Sequence, residues 1–260
     1  MCIQEAHMDK NQERYDRNFN TLSPGEQDIL ASSHVAVMGL GGLGGGVCEM
    51  LARIGVGTLT LVDGDVFDTS NLNRQLLSRE DLVGTPKAEA ARERINGINS
   101  LVQVFSRAVY ADESNIDSLI EGAGLVVDCL DTIDARFLLQ EAAQKASIPL
   151  VSGAIAGVSG QVTVIFPQDR GYELIYGSKS QRIKSKNQEE KSQENQNEKS
   201  EFSSRGIETQ TGNISYTALF VAALEASECI KVLLNRGDIL RNKLLIADLW
   251  TNCIEVMDLV

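Results

Sequence analysis

The sequence predicts a doubly wound α/β protein whose mainly parallel sheet gains an antiparallel extension toward the C-terminus. Three observations predict it. Short apolar runs alternate with helical patterns from Val35 to Pro149, a glycine-rich turn joins the first run to its helix, and the pattern changes to an alternating one from Gly160 to Phe166. Apolar runs without polar alternation are strands buried on both faces, as in parallel sheets covered by helices on each side.

The elements follow in order. Residues 1–20 are polar and contain the cluster Arg14-Tyr15-Asp16-Arg17, whose arginines read on pattern alone as solvated surface. Ser23-Pro24-Gly25-Glu26 has the signature of a capping box with proline at the first helical position. Val35 to Met38 form the first strand, and Gly39, Gly41 and Gly44 follow at dinucleotide-fingerprint spacing, with Gly42, Gly45 and Gly46 baring the loop further. Strand, glycines and the helix expected from Val47 to Ile54 make a Rossmann-like unit that aims helix amides at an anion, and a purely structural turn is the alternative. Leu59 to Val62 make a second buried strand ending at Asp63, where a carboxylate normally takes the ribose hydroxyls of a nucleotide.

The polar segment from Gly64 and Asp65 through Asn71, Arg74 and Gln75 is a loop at a strand's carboxyl end, where open α/β sheets bind ligands or simply expose a loop. Lys87 opens a helix running to about Asn96, a place where lysine is commonly solvated surface. Strands are expected at Leu101 to Phe105 and Leu125 to Leu130, with a helix from Asn115 to Ile120 between them. The second strand runs into Asp131, a candidate magnesium or phosphate-side ligand or a mere cap, while Asp134 is placed to cap a helix from Ala135 to Lys145 and Asp128 reads as structural. Pro149 to Gly153 and Gly160 to Phe166 are strands, Ser215 to Leu234 is a helix, and Lys243 to Asp248 and Thr251 to Leu259 close the fold. Between them, residues 178–204 are mostly Lys, Gln, Glu, Asn and Ser, with Ile183 as the one aliphatic and Phe202 as the one aromatic, too little apolar surface to offset ordering, so a disordered loop is expected.

The totals narrow the function. In 260 residues, 24 Lys and Arg face 36 Asp and Glu, a formal charge of −12 that argues against nucleic acid or an anionic membrane as partner. No signal-peptide pattern or membrane-spanning run occurs, which points to the cytoplasm. The five cysteines, Cys2, Cys48, Cys129, Cys229 and Cys253, form no C-x-x-C pair, so no zinc is expected, and the last four sit in apolar segments as small buried hydrophobes.

With these residues assembled, the chain resembles the ThiF, MoeB and HesA family, the bacterial relatives of ubiquitin-activating enzymes. The resemblance spans nearly the whole chain and rests on GLGGLG, LVDGD, SNLNRQ, VGTPKAEAA and VVDCLDT in the family's order and spacing. It implies a single adenylation domain over residues 1–260. It further implies ATP and Mg²⁺ as cofactors in adenylating the C-terminal glycine carboxylate of a ubiquitin-like sulfur carrier of the ThiS or MoaD type, ending in Gly-Gly, with release of pyrophosphate. By resemblance Gly39, Gly41, Gly42, Gly44, Asp65 and Gln75 belong to the nucleotide site, Asp63 holds the ribose, Asn71, Arg74 and Lys87 contact phosphates, and Asp131 binds magnesium. Arg17 matches the second arginine of the family's R-Y-x-R motif, which reaches into the neighbouring subunit's site, and so implies a homodimer.

Two departures qualify the likeness. The two zinc-binding C-x-x-C pairs of many members are missing near Gly171 to Gly177 and Arg236 to Lys243, and the crossover stretch Gly206 to Gly212 lacks the cysteine many members carry. Adenylation is therefore expected without an enzyme thioester in that loop, and with a separate sulfur donor. The glycine loop and Asp63 alone would also permit an NAD-dependent dehydrogenase, although hydride transfer has no use for Arg74, Lys87 and Asp131 around a phosphate; a non-catalytic nucleotide-binding scaffold is the other alternative.

Overall fold

The computed structural model describes residues 13–178 and 211–260. Apart from Ser178, the polar loop expected at 178–204 lies outside these residues, as do Cys2 and most of the crossover stretch 206–212. Helix α1 (Pro24–Ser32) starts as the sequence predicts. The Glu26 amide donates to Ser23 Oγ, the Ser23 amide donates to the Glu26 carboxylate at 2.7 Å, and Pro24 takes the first turn.

Strand β1 (His34–Met38) passes through the glycine turn into α2 (Gly44–Ile54), which leads to β2 (Thr58–Val62). Helix α2 begins three residues before the predicted Val47 because Gly44, Gly45 and Gly46 are all helical. Glycine is a poor helix former, so propensity hides this turn, but packing demands it. A Cβ on Gly44 would lie 1.8 Å from the Gly39 carbonyl oxygen.

There follow α3 (Lys87–Ile98), β3 (Gln103–Arg107), the single turn α4 (Ile116–Leu119), β4 (Leu125–Asp128), α5 (Ile133–Ala146) and β5 (Leu150–Ala156). A hairpin joins β5 to β6 (Ser159–Ile165); then come α6 (Tyr172–Tyr176), the 20-residue α7 (Ser215–Leu234), β7 (Lys243–Asp248) and β8 (Cys253–Asp258). The eight strands form one sheet in the order β3-β2-β1-β4-β5-β6-β7-β8. The first five pair in parallel and the last three antiparallel, so the extension begins at β6.

Alternate residues of each central strand enter different cores, which is what makes the sheet doubly wound. Val35, Val37, Leu59, Leu61 and Val127 pack with α2, α3 and α7, whereas Ala36, Met38, Val62 and Val126 pack with α4, α5 and α6. Among the described residues, no helix is long and apolar enough to cross a membrane.

Several boundaries differ from the sequence expectation. Strand β3 lies two residues later than predicted, and β4 stops at Asp128, leaving Cys129 to Asp131 as a loop. Thr132 rather than Asp134 caps α5, because the helix begins at Ile133 and puts Asp134 inside its first turn, where its charge still meets the positive end of the dipole. Cys48 and Cys229 are buried as expected and Cys129 partly so, but Cys253 is exposed, since β8 forms the sheet edge and, among the described residues, is exposed along its whole length.

A polar network is buried beneath the carboxyl ends of β4 and β5. Asp128 is fully buried and accepts from Arg136 Nη1 at 3.1 Å, from Ser152 Oγ at 3.0 Å and from the Tyr172 hydroxyl, so its structural reading holds. Glu225 of α7, also fully buried, approaches so closely that a Cβ on Gly153 would lie 2.4 Å from its carboxyl carbon. Burial, reinforced by the Asp128 charge, pushes the Glu225 carboxyl well above the usual carboxylate range.

The folded chain therefore keeps a proton on Glu225 at pH values where the unfolded chain has lost it. That contribution to stability is complete below the unfolded pKa, about 4.5, and disappears as pH rises through the folded value. E225Q is expected to flatten the pH dependence of stability measured by urea unfolding as pH rises above the unfolded carboxylate value. Wild type should lose stability relative to E225Q as pH rises; parallel curves would contradict the assignment.

Candidate active site

The strand order reverses around β1, so β1 and β4 are neighbours whose following connections leave in opposite directions, and a crevice opens at their carboxyl ends. A cavity of about 280 Å³ occupies it. The end of β1 supplies Met38 and Gly39, the end of β2 supplies Asp63 to Asp65, the end of β3 supplies Val109 to Ala111, and the loop after β4 supplies Cys129 to Asp131.

Gly39 adopts φ +90°, and a Cβ there would meet the Cys129 carbonyl oxygen at 2.6 Å. At Gly41 a Cβ would meet nothing nearer than Gln75 Nε2 at 3.7 Å, so protein packing does not require the bare backbone; it lines an open cradle. Helix α2 has no side-chain cap at its N-terminus, which leaves first-turn amides for an anion over the loop.

The acidic side is built by Asp63 and Asp65. Asp63 accepts from the Leu40 amide at 2.7 Å and from the Asp65 amide at 2.8 Å, which fixes its carboxylate between the glycine loop and the strand end. Burial raises its pKa above the usual carboxylate value, against the opposing pull of Lys87 and those two amides. Asp65 accepts from Lys87 Nζ at 2.9 Å, and its backbone carbonyl accepts from the Lys87 amide at 3.0 Å. Lys87 is only 5% exposed, so the surface reading of that lysine is replaced by a buried cation pointed at the cavity floor.

The polar loop contributes the rest. A 3₁₀ turn at Thr69–Asn71 is fixed by Asn71 Oδ1, which accepts from the Asp68 amide at 3.0 Å. Arg74 Nη1 donates to the Ser70 carbonyl at 2.8 Å and to Asn73 Oδ1 at 2.9 Å, which holds the guanidinium at the rim. Two buried side-chain oxygens of cavity-lining residues, Gln75 Oε1 and Asn213 Oδ1, have no hydrogen-bond partner among the described residues, although orphaned buried polar atoms are rare in native proteins. They are suited to ligand donors, or, with the amide turned over, to ligand acceptors.

Ten of the sequence-derived residues thus share one cavity: Gly39, Gly41, Gly42, Asp63, Asp65, Asn71, Arg74, Gln75, Lys87 and Asp131. Gly44 sits just behind them at the start of α2. Arg17 does not join them within the chain. It is exposed and lines a separate groove beside Met50 and Ile54 of α2 and Ala226 and Ile230 of α7. Its neighbours are pinned instead: Arg14 donates to Asn99 Oδ1, and the Tyr15 hydroxyl accepts from Asn99 Nδ2 at 2.9 Å.

Three cavity residues escaped sequence reasoning. Asn213 follows a long stretch without pattern, and Arg136 looks like any helix-surface arginine. It is nevertheless 5% exposed and donates to Asp128, to the Gly153 carbonyl at 2.9 Å and to the Leu130 carbonyl, thereby holding the loop that carries Asp131. Tyr110 had one available signal, its place just beyond the carboxyl end of a parallel strand.

The chain that builds this cavity matches a family model over residues 15–259, described as the ThiF family. The chain belongs to the ThiF family. This member is 34% identical over 238 residues to the SAMP-activating enzyme E1 of Haloferax volcanii, a match that covers 91% of this chain and 81% of that protein. It is 41% identical over 143 residues to the molybdopterin-synthase adenylyltransferase of Escherichia coli and 37% identical over 158 residues to the sulfur carrier protein ThiS adenylyltransferase of Bacillus subtilis. Those two matches span only 57% and 47% of the relatives' lengths. In fold, this ThiF-family chain superposes on a crystal structure of E. coli MccB with AMPCPP and MccA with a TM-score of 0.77 at 23% identity, covering 95% of this chain and 71% of the other. The dehydrogenase alternative finds no support among these relatives.

Proposed function

We propose that this ThiF-family protein is an ATP-dependent adenylyltransferase that activates the C-terminal glycine carboxylate of a small ubiquitin-like carrier as an acyl adenylate and releases pyrophosphate. The observation that carries the reading is a pair of adjoining cavities. The phosphate-type cavity shares Asp131, Arg136 and Ile155 with a second cavity of about 340 Å³ that runs along β5 and β6 to Ile246 of β7. The first is suited to a nucleotide and the second to an extended peptide tail, whose carboxylate would arrive at the shared wall.

In this reading the tail carboxylate attacks the α-phosphorus of ATP, a new acyl–oxygen–phosphorus linkage forms, and pyrophosphate leaves with the displaced electron pair. An anion approaching an anion needs fixed positive charge more than a base. Lys87, Arg74 and the amides of the α2 N-terminus are positive groups that the chain offers around the phosphates, and Asp63 is suited to the ribose hydroxyls. Among the described residues, no cluster of three or more metal-ligating side chains occurs. The exposed Asp131 carboxylate at the wall the two cavities share is the kind of donor that suits Mg²⁺, which usually takes one or two carboxylates and completes its shell with phosphate oxygens and water. Asp131 would hold it, and bound Mg²⁺ neutralises charge on the phosphates.

Arg17, exposed and outside its own chain's cavity, is suited to act in the site of a second copy, so the working unit is a homodimer. With no cysteine in the crossover stretch, a separate sulfur donor would take the adenylate onward. ATP–pyrophosphate exchange with Mg²⁺ tests the proposal, run with each small Gly-Gly-ending protein of the same organism. Exchange is expected to require one of them. A protein that binds ATP yet exchanges with none would overturn the carrier reading.

A further inference from the structure

We propose that Tyr110 is a stacking platform for the base of the bound nucleotide, an inference that rests on the ATP site proposed above. Tyr110 stands beyond the end of β3, beside the end of β2 that carries Asp63, and it lines the same cavity. It is 69% exposed, yet it is held at both ends. Its hydroxyl donates to Asp65 Oδ1 at 2.5 Å, the length of a charge-assisted bond, and its carbonyl accepts from Asn115 Nδ2 at 2.9 Å. Asn115 in turn closes that loop by accepting from the Asp112 amide at 2.9 Å.

The ring lies against the backbone of Gly64. A Cβ built on Gly64 would sit 2.5 to 2.7 Å from three ring carbons, so this glycine is what allows the tyrosine to lie down there. Most of the ring surface remains open at the cavity. A ring whose rotamer is fixed before binding offers its π face at little entropic cost to the ligand. The geometry also puts it in the right place: Asp63, the carboxylate suited to the ribose, immediately precedes Gly64, so a base leaving that ribose emerges beside the ring. Because every base has a π face, the platform contributes affinity more than base choice.

The competing role for Tyr110 is to orient Asp65, which also holds Lys87. Two variants and two ligands separate the roles, with affinities read by calorimetry for ATP and for tripolyphosphate, which lacks the nucleoside. Y110A is expected to weaken ATP by about tenfold or more while leaving tripolyphosphate within about twofold of wild type. Y110F, which loses the bond to Asp65 but keeps the ring, should recover ATP affinity to within about threefold. Unchanged ATP affinity in Y110A would overturn the platform. So would an equal loss in Y110F, or a parallel loss of tripolyphosphate, since each would assign Tyr110 to Asp65 and Lys87. Wild-type protein that binds tripolyphosphate but not ATP would overturn the nucleotide site itself, a result distinct from any failure specific to Tyr110.

Discussion

Asp131→Ala is expected to lower ATP–pyrophosphate exchange by about a hundredfold or more while leaving the melting temperature within a degree or two of wild type. The two halves of this expectation come from different parts of the loop. The side chain of Asp131 is exposed at the wall between the two cavities, where its removal deprives the site of a hard oxygen donor. The backbone that carries it is fixed by other groups. The Cys129 amide donates to the Met38 carbonyl at 2.9 Å, the Leu130 amide donates to Asp128 Oδ1 at 3.0 Å, and Arg136 donates to the Leu130 carbonyl. Truncation at 131 disturbs none of these bonds and opens no cavity in the core, so the usual routes to a large stability loss are absent. The decisive readout is a magnesium titration of exchange. A rightward shift or loss of magnesium dependence in D131A would mark the residue as a metal ligand, and exchange equal to wild type at every concentration would remove it from the site. Asp131→Asn, which keeps the shape and halves the oxygen count, should fall between the two.

The parts of this fold that were legible in the sequence are those governed by local chemistry. Ser23, Pro24 and Glu26 announce α1 because a capping box involves only neighbours. The strands that end at Met38, Val62 and Asp128 read as apolar runs because helices cover both faces of the sheet. What sequence could not reveal is decided across the chain. Gly44, Gly45 and Gly46 look like loop and are helix, because close packing against Gly39 and α7 outweighs their poor propensity. Lys87 looks like surface and is buried, because Asp65, 22 residues earlier, provides a partner. Arg136, Asn213 and Tyr110 reach the cavity through the sheet order, which brings the ends of β3, β4 and β5 and the approach to α7 to one place. Most of the family's motif residues were recoverable as a set, but the groups that hold them in position were not.

Mixing two inactive variants is expected to restore activity if Arg17 works across a dimer. R17A removes the cation that would enter the partner's cavity, and K87A removes the one built into its own. Each alone should lose exchange by about a hundredfold or more, as removal of a single charge-stabilising donor does in other enzymes. In a heterodimer the R17A chain keeps its Lys87 and receives Arg17 from the K87A chain, so one of the two sites is complete and the other lacks both groups. Random reassortment of equal amounts makes about half of the dimers mixed, each with one working site, and exchange should return to about a quarter of the wild-type rate. The structure makes Arg17 a good probe for this test. It is exposed in the described chain, whereas Arg14 and Tyr15 lock the segment onto Asn99, so R17A should leave the anchoring of that segment intact. Lys87 is the less innocent partner, because its removal strands Asp65 at a site where Tyr110 also donates. K87M, which keeps the aliphatic stem and drops the charge, guards against that, and it should complement R17A to the same quarter. Native mass spectrometry of the mixture establishes that subunits have exchanged. Mixed dimers without recovered exchange would confine Arg17 to its own chain, where it lines the groove between α2 and α7 and meets no phosphate-site residue.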